Sequence, residues 1–214
     1  MVDRGVERGW EVDERMRLEA LASHDVDSLA NNDALKRITD FAAALCDAPI
    51  ALVSLVDAER QSFLARTGLD TSSTPRSQSF CAFAMRGEDI MIVADATQDP
   101  RFADNPLVTG EPHIRFYAGA PLLSEEGIPL GSLCVIDTRP RAGLTDLQRM
   151  GLMTLADNVM ARLRDSRDAA AWRATENDVR RELSDTEDKF RTLADAMPQM
   201  VWSTLPDGYH DYYN

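Results

Sequence analysis

Two apolar runs near the middle of the chain, Phe116 to Leu123 and Pro129 to Ile136, constrain the fold more than any other stretch. Between them lies Ser124-Glu125-Glu126-Gly127, and apolar runs on either side of a glycine-containing turn read as an antiparallel hairpin. Gly119 and Gly131 sit inside the runs, where glycine marks a bulge or the close approach of another backbone or a ligand. Upstream, Asp95, Asp99-Pro100 and Asp104-Asn105-Pro106 prevent the segment from continuing as one helix or strand. The expected arrangement is an irregular loop clamped onto a central hairpin. It suits a pocket better than a cleft for acid–base chemistry.

The flanking elements read in order. Residues 11–23 form a helix with Val12, Met16 and Leu21 loosely on one face. Asn31-Asn32-Asp33 offers caps for a second helix, whose apolar face is Leu35, Ile38, Phe41, Ala42 and Leu45, with Cys46 as a core residue. Pro49 breaks it. Ile50 to Val56 is hydrophobic throughout, as a central strand covered on both faces must be. Gln61 to Arg66 returns as its hairpin partner, and Gly68 to Arg76 reads as a loop. Ser77 to Met85 reads as a short helix and Ile90 to Val93 as a third strand.

Thr145 and Gln148 have the spacing of a capping box for a long helix whose face is Leu147, Met150, Leu152, Leu155, Ala156, Val159 and Leu163. A second stripe then runs Trp172, Val179, Leu183, Thr186, Phe190, Leu193 and Met197. Its heptad steps predict a two-stranded coiled coil, with a single solvated helix as the alternative. After Pro198, residues 199–204 and 209–213 read as two strands joined at Pro206-Asp207-Gly208. A hairpin is not stable alone, so these residues are expected to open a further domain. The expected divisions are 1–24 (N-terminal helix), 25–163 (first domain), 164–197 (helical linker) and 198–214 (start of the next domain).

A formal net charge of −13 argues against nucleic acid or an anionic membrane surface as a partner. No run approaches the ~18 apolar residues of a membrane span, and the N-terminus has no apolar signal core, so the expected location is cytoplasmic. Three cysteines without paired spacing and three scattered histidines suggest neither a zinc site nor a disulfide framework.

Four strings carry a family resemblance: Pro49–Phe63 (PIALVSLVDAERQSF), Ser79–Met85 (SFCAFAM), Asp99–Leu122 (DPRFADNPLVTGEPHIRFYAGAPL) and Gly127–Asp137 (GIPLGSLCVID). Together they resemble a GAF domain, of the type at the front of bacterial sensor histidine kinases and some cyclic-dinucleotide cyclases. From Phe190 onward the chain is similar to the opening of a PAS domain, as in soluble multi-domain sensor kinases including the HWE-type class. The resemblance implies an α+β fold: an antiparallel sheet of five or six strands, helices on one face, a small-molecule cavity on the other, and a long C-terminal signalling helix. It also implies a homodimer through the N- and C-terminal helices (Trp172, Val179, Leu183, Phe190 and Leu193 on the latter), with PAS and kinase domains downstream. Two positions depart from close relatives, which often carry His at the position of Phe83 and Trp at that of Ser62.

The pocket is expected to draw on Phe63, Phe80, Cys81, Ala84, Asp95, Phe102, Phe116, Tyr117 and Cys134. Cys81 could in principle hold a bilin, but the neighbouring His and the Asp-Ile-Pro-like motif of such domains are missing. Cys81 with Cys134 would suit an enzyme resembling the GAF-fold free methionine sulfoxide reductases. Against this, Cys134 lies in an apolar strand, where burial makes a thiol inert. Asp95, Asp99 and Asp104 cap turns more readily than they bind metal. Arg115 and His113 could meet an anion, though a cyclic nucleotide would want more polar contacts. The expectation is a sensory module, with no catalytic residue, no metal and no implied cofactor, that couples a small molecule or partner to an output domain. The alternatives are a ligand-free dimerisation spacer, its cavity filled by Phe80, Phe102, Phe116 and Tyr117, and the reductase-like enzyme.

Overall fold

The structure is a computed structural model that describes residues 13–24, 26–29, 32–196, 202–204, 206 and 210–213. The chain divides into two compact units, residues 1–167 and 168–214. In order the elements are α1 (Glu14–Ala22), α2 (Val26–Leu29), α3 (Asp33–Cys46), β1 (Ile50–Val56), β2 (Arg60–Thr67), β3 (Ser73–Pro75), α4 (Cys81–Ala84), β4 (Met91–Val93), α5 (Pro106–Thr109), β5 (Phe116–Leu123), β6 (Pro129–Asp137), α6 (Asp146–Asp195), β7 (Trp202–Thr204) and β8 (His210–Tyr213). The expected α+β architecture is a six-stranded antiparallel sheet in the order β3-β2-β1-β6-β5-β4.

The hairpin of β5 and β6 supplies two of the inner strands, and every residue of β1 and β6 is buried. Alternation along these strands builds two cores. Ala51, Val53, Leu133, Val135, Phe116 and Ala118 face α3 and the first part of α6, where Leu35, Ala42, Leu152, Val159 and Leu163 cover them. The opposite face carries Ile50, Leu52, Tyr117, Cys134 and Ile136 and is covered by α4, α5 and their loops. Gly131 lets β6 lie close to β1, since a Cβ there would come 1.9 Å from the Ser54 carbonyl oxygen.

Caps and long-range pairs fix the helices. Asn32 accepts a hydrogen bond from Ala34 N to start α3. Thr145 and Gln148 exchange the expected capping-box bonds at 3.0 and 3.3 Å. The C-terminal carbonyls of α3 are satisfied by residues far away in sequence. Gln148 donates to Leu45 O (3.1 Å), and Arg141 donates to Cys46 O (2.6 Å) and Asp47 O.

Several local readings change, and Phe41, Leu147 and Met150, expected on the inward faces of their helices, are exposed. The stretch expected as a loop contains β3, a short edge strand that pairs with β2 from Arg60 to Ser62. The helix expected from Ser77 begins only at Cys81, because residues 76–78 form a tighter 3-10 turn and the Ser79 hydroxyl accepts from Ala82 N at the helix start. In α1, Met16 is exposed and Arg17 takes the inward place beside Leu21, while Val12 lies outside the described residues. Arg17 can be buried because each of its guanidinium nitrogens has a partner, donating to Glu14 (both bonds 2.8 Å) and to Val56 O (2.7 Å). Arg17 and Arg76 together hold the Glu14 carboxyl down to about 2 against its partial burial.

In the second unit, Trp172, Val179, Leu183, Phe190 and Leu193 are all exposed on α6. Met197 and most of the expected turn between β7 and β8 lie outside the described residues. The two strands themselves pair antiparallel, Trp202 opposite Tyr213. No helix among the described residues is long and apolar enough to cross a membrane.

Candidate functional site

The face of the sheet opposite α3 carries a cavity of about 390 Å³. Its floor is Ile50, Leu52, Phe63, Tyr117 and Ile136, side chains of one face of β1, β2, β5 and β6. Phe80 and Cys81 form one wall at the start of α4, Leu69 and Thr74 a second, and Leu107 and Ile114 a third. Two exposed carboxylates, Asp70 and Glu111, stand at the rim. Polar groups are few. Gln61 accepts from the Ser79 hydroxyl, which ties the first turn of α4 to β2. The buried Thr74 hydroxyl has no hydrogen-bond partner among the described residues. Asn105 caps α5 through Leu107 N and donates to Gln78 O at 3.1 Å, so the wall segments hold one another in place.

A polar knot lies at the inner end of the cavity. The Cys81 and Cys134 sulfurs are 3.8 Å apart, and the Tyr117 hydroxyl lies 3.4 Å from Cys81 Sγ and 3.1 Å from Ser132 Oγ. Hydrogen bonding from Cys134, helped by Ser132, Ser54 and Tyr117, brings the Cys81 thiol down to about 6 although it is buried. The same bond, with burial, holds Cys134 well above the ordinary thiol range. Burial likewise raises the Tyr117 phenol. Gly119 makes room for this knot, because a Cβ there would meet the Tyr117 hydroxyl at 2.3 Å and its ring at 2.7 Å. Gly119→Ala is therefore expected to cost about 2 kcal/mol by forcing a fully buried ring aside. Urea unfolding measures it, and a loss under about 0.5 kcal/mol would mean the ring moves freely.

A model of the GAF domain family matches residues 31–163. The chain belongs to the GAF domain family. A cyclic di-GMP phosphodiesterase of Pseudomonas aeruginosa is 52% identical over 132 residues, which are 62% of this chain and 22% of that protein. The chain therefore spans less than a quarter of that relative's length. The GAF domain of a phosphoenolpyruvate-protein phosphotransferase from Coxiella burnetii has a TM-score of 0.55 at 18% identity, covering 74% of this chain and 96% of that one. A domain of a two-component sensor histidine kinase protein from Sinorhizobium meliloti has a TM-score of 0.52 at 18% identity, covering 67% of this chain and 98% of that one. At such identities the likeness to the two solved structures is one of fold.

In this GAF domain Phe63, Phe80, Cys81 and Tyr117 line the cavity. Cys134 lies behind Cys81, and Ala84 is buried in the same core. Phe102 stacks on the outer side of Phe80 (centroids 3.9 Å apart, planes 11° apart), with Phe83 edge-on to it at 5.1 Å, so it backs the wall without filling the space. Phe116 is corrected. Adjacent strand residues point to opposite faces, so with Tyr117 in the cavity Phe116 must face the helices, where the Arg141 guanidinium lies 5.5 Å from its centroid. Asp95 is corrected as well. It caps the turn at Thr97 N and pairs with Arg115 at 2.8 and 2.7 Å, outside the cavity lining. Arg115 above all holds the Asp95 carboxyl low, which also engages the cation expected to meet an anion. Gln61, Leu69, Thr74, Asp70 and Glu111 were missed. Gln61, a polar residue on the buried side of a strand, was the one legible signal among them.

Proposed function

We propose that this GAF domain is a sensory module that couples occupancy of the cavity to α6, in a signal-transduction protein whose output lies outside the chain. One observation carries the reading. Tyr117 and Ile136 face the cavity, while their neighbours Phe116, Ala118 and Val135 touch the helical layer that includes Leu152 and Val159. A ligand that shifts β5 against β6 thus bears on the packing of α6. Only a ligand that binds two such packings with different affinity would transmit a signal. The open volume also favours a ligand over a self-filled spacer, since Phe102 and Phe116 lie elsewhere. The acidic rim points to an uncharged or cationic small molecule, because an anion would meet Asp70 and Glu111 at the entrance.

The rest of the reading concerns the longer protein. Residues beyond 198 open a PAS domain, the stripe on α6 joins two copies, and the output is a histidine kinase, HWE-type or related. A second output, turnover of a cyclic dinucleotide, is favoured by the 52% identity to the Pseudomonas protein named as a cyclic di-GMP phosphodiesterase. Native mass spectrometry of the purified chain, set against its denatured mass, tests the sensory reading. Extra mass released on denaturation is expected. Equal masses in both states, without visible absorption, would transfer the role to a ligand-free dimerisation spacer.

A further inference from the structure

We propose that Cys81 and Cys134 are a redox-active thiol pair that closes to a disulfide when a hydroperoxide enters the cavity. The sulfurs already lie 3.8 Å apart, within one buried knot, on two different elements. A disulfide needs about 2.0 Å between sulfurs, so the pair must close by about 1.8 Å. Rotation of two unbranched side chains, with a small shift of the four-residue α4, supplies that movement. Cys46, the remaining cysteine, ends α3 in the core on the other face of the sheet, and burial pushes its thiol up to about 11. It is neither a partner nor a competitor for the oxidant.

The two thiols have different parts. Cys81 is on the cavity wall, so a small oxidant meets it first, whereas Cys134 sits behind it on β6 and is wholly buried. The hydroxyl of Tyr117 and the thiol of Cys134 both face the Cys81 sulfur and favour its thiolate, the nucleophilic form. A hydroperoxide is neutral, so the rim carboxylates do not repel it. The thiolate attacks one peroxide oxygen and the O–O bond breaks. With a proton taken up, the products are a sulfenic acid on Cys81 and one molecule of water (or alcohol). Cys134 then attacks the sulfenic sulfur, the S–S bond forms, and its proton leaves with the hydroxyl as a second water. Two electrons pass from the two sulfurs to the peroxide. The bond would tie the cavity wall at α4 to an inner strand. Nothing in this step depends on a cavity ligand.

The test uses the reduced 214-residue chain. It is treated with equimolar hydrogen peroxide at pH 7, unfolded in the presence of N-ethylmaleimide and weighed. One adduct, on Cys46, is expected where the untreated chain takes three, one for each cysteine. Trypsin should release residues 77–86 linked to residues 116–141, and dithiothreitol should separate them. Cys134→Ser should instead leave a dimedone-reactive sulfenic acid on Cys81, formed at least ~tenfold faster than any product on Cys46. Three remaining adducts on the treated wild-type chain, or a disulfide through Cys46 or between chains, would overturn the proposal. The wild-type result stands even if the variant does not fold.

Discussion

Replacing Arg141 by alanine is expected to lower the unfolding free energy of the GAF domain by about 3–5 kcal/mol, as removal of one partner from a buried ion pair does. An exposed pair would be worth at most ~1 kcal/mol, so burial decides the size. The Asp137 side chain is only 3% exposed, and Arg141 binds it through Nε at 2.8 Å and again through Nη2. The same guanidinium satisfies the carbonyls of Cys46 and Asp47 and lies over the Phe116 ring. Alanine strips the end of α3 of these donors and leaves a carboxylate in the core with only the Arg139 backbone N–H and a distant Arg139 side chain.

The pH dependence separates charge from packing. In the wild type, burial would raise the Asp137 carboxyl, but Arg141 and Arg139 outweigh it and the net shift is downward. A group lowered on folding contributes stability above its unfolded value, about 3.9 for Asp, and that stability is lost as pH falls through the folded value. Without Arg141 burial dominates, the folded value rises above the unfolded one, and the variant loses stability as pH rises. The gap between the two proteins should therefore be widest near pH 7 and narrow toward pH 3. Urea unfolding at both pH values measures it. A gap that stays constant would assign the loss to the carbonyls and the ring rather than to Asp137.

The sheet was legible because its strands announce themselves locally. Ile50 to Val56 and the two runs of the β5–β6 hairpin are apolar enough to be inner strands, and the Thr145 box marks the start of α6. What was not legible is direction. Where both faces of a strand are apolar, nothing in the sequence says which neighbour faces the cavity, and Phe116 and Tyr117 cannot both do so. Short polar elements were lost for another reason. Ser73 to Pro75 pairs along one edge only and carries no hydrophobic period, so it reads as loop.

Charged residues were the hardest to place. Arg17, Arg141 and Asp137 look like ordinary surface residues until α1 meets Val56 and α3 meets the segment after β6. Arg17 and Arg141 bind carbonyls 39 and 95 residues away, and no local pattern encodes that. The thiols show the same limit. An apolar strand reads as an inert setting for Cys134, but 53 residues of separation conceal that its sulfur meets Cys81 beside a tyrosine hydroxyl.

Introducing aspartate at both Val179 and Leu183 is expected to convert the chain from dimer to monomer. Val179 and Leu183 are 61% and 59% exposed within one chain, and with Trp172, Phe190 and Leu193 they follow the three- and four-residue steps of a coiled-coil seam. In a parallel pair each residue meets its own copy, so the double variant places four carboxylates in one dry seam. Each lost Val or Leu forfeits about 1.5–3 kcal/mol of burial, before any charge repulsion is counted. Four such losses exceed about 6 kcal/mol, which weakens association by more than ~10⁴-fold. Sedimentation equilibrium should then give a monomer near the sequence mass of 23.8 kDa, against twice that for the wild type. Thermal unfolding of the GAF domain should hardly change, because neither residue belongs to its core. A double variant that remains dimeric would show that α6 is a solvated connector and that the copies meet elsewhere. A wild type that is already monomeric at tens of micromolar would remove the dimer from the proposed function altogether.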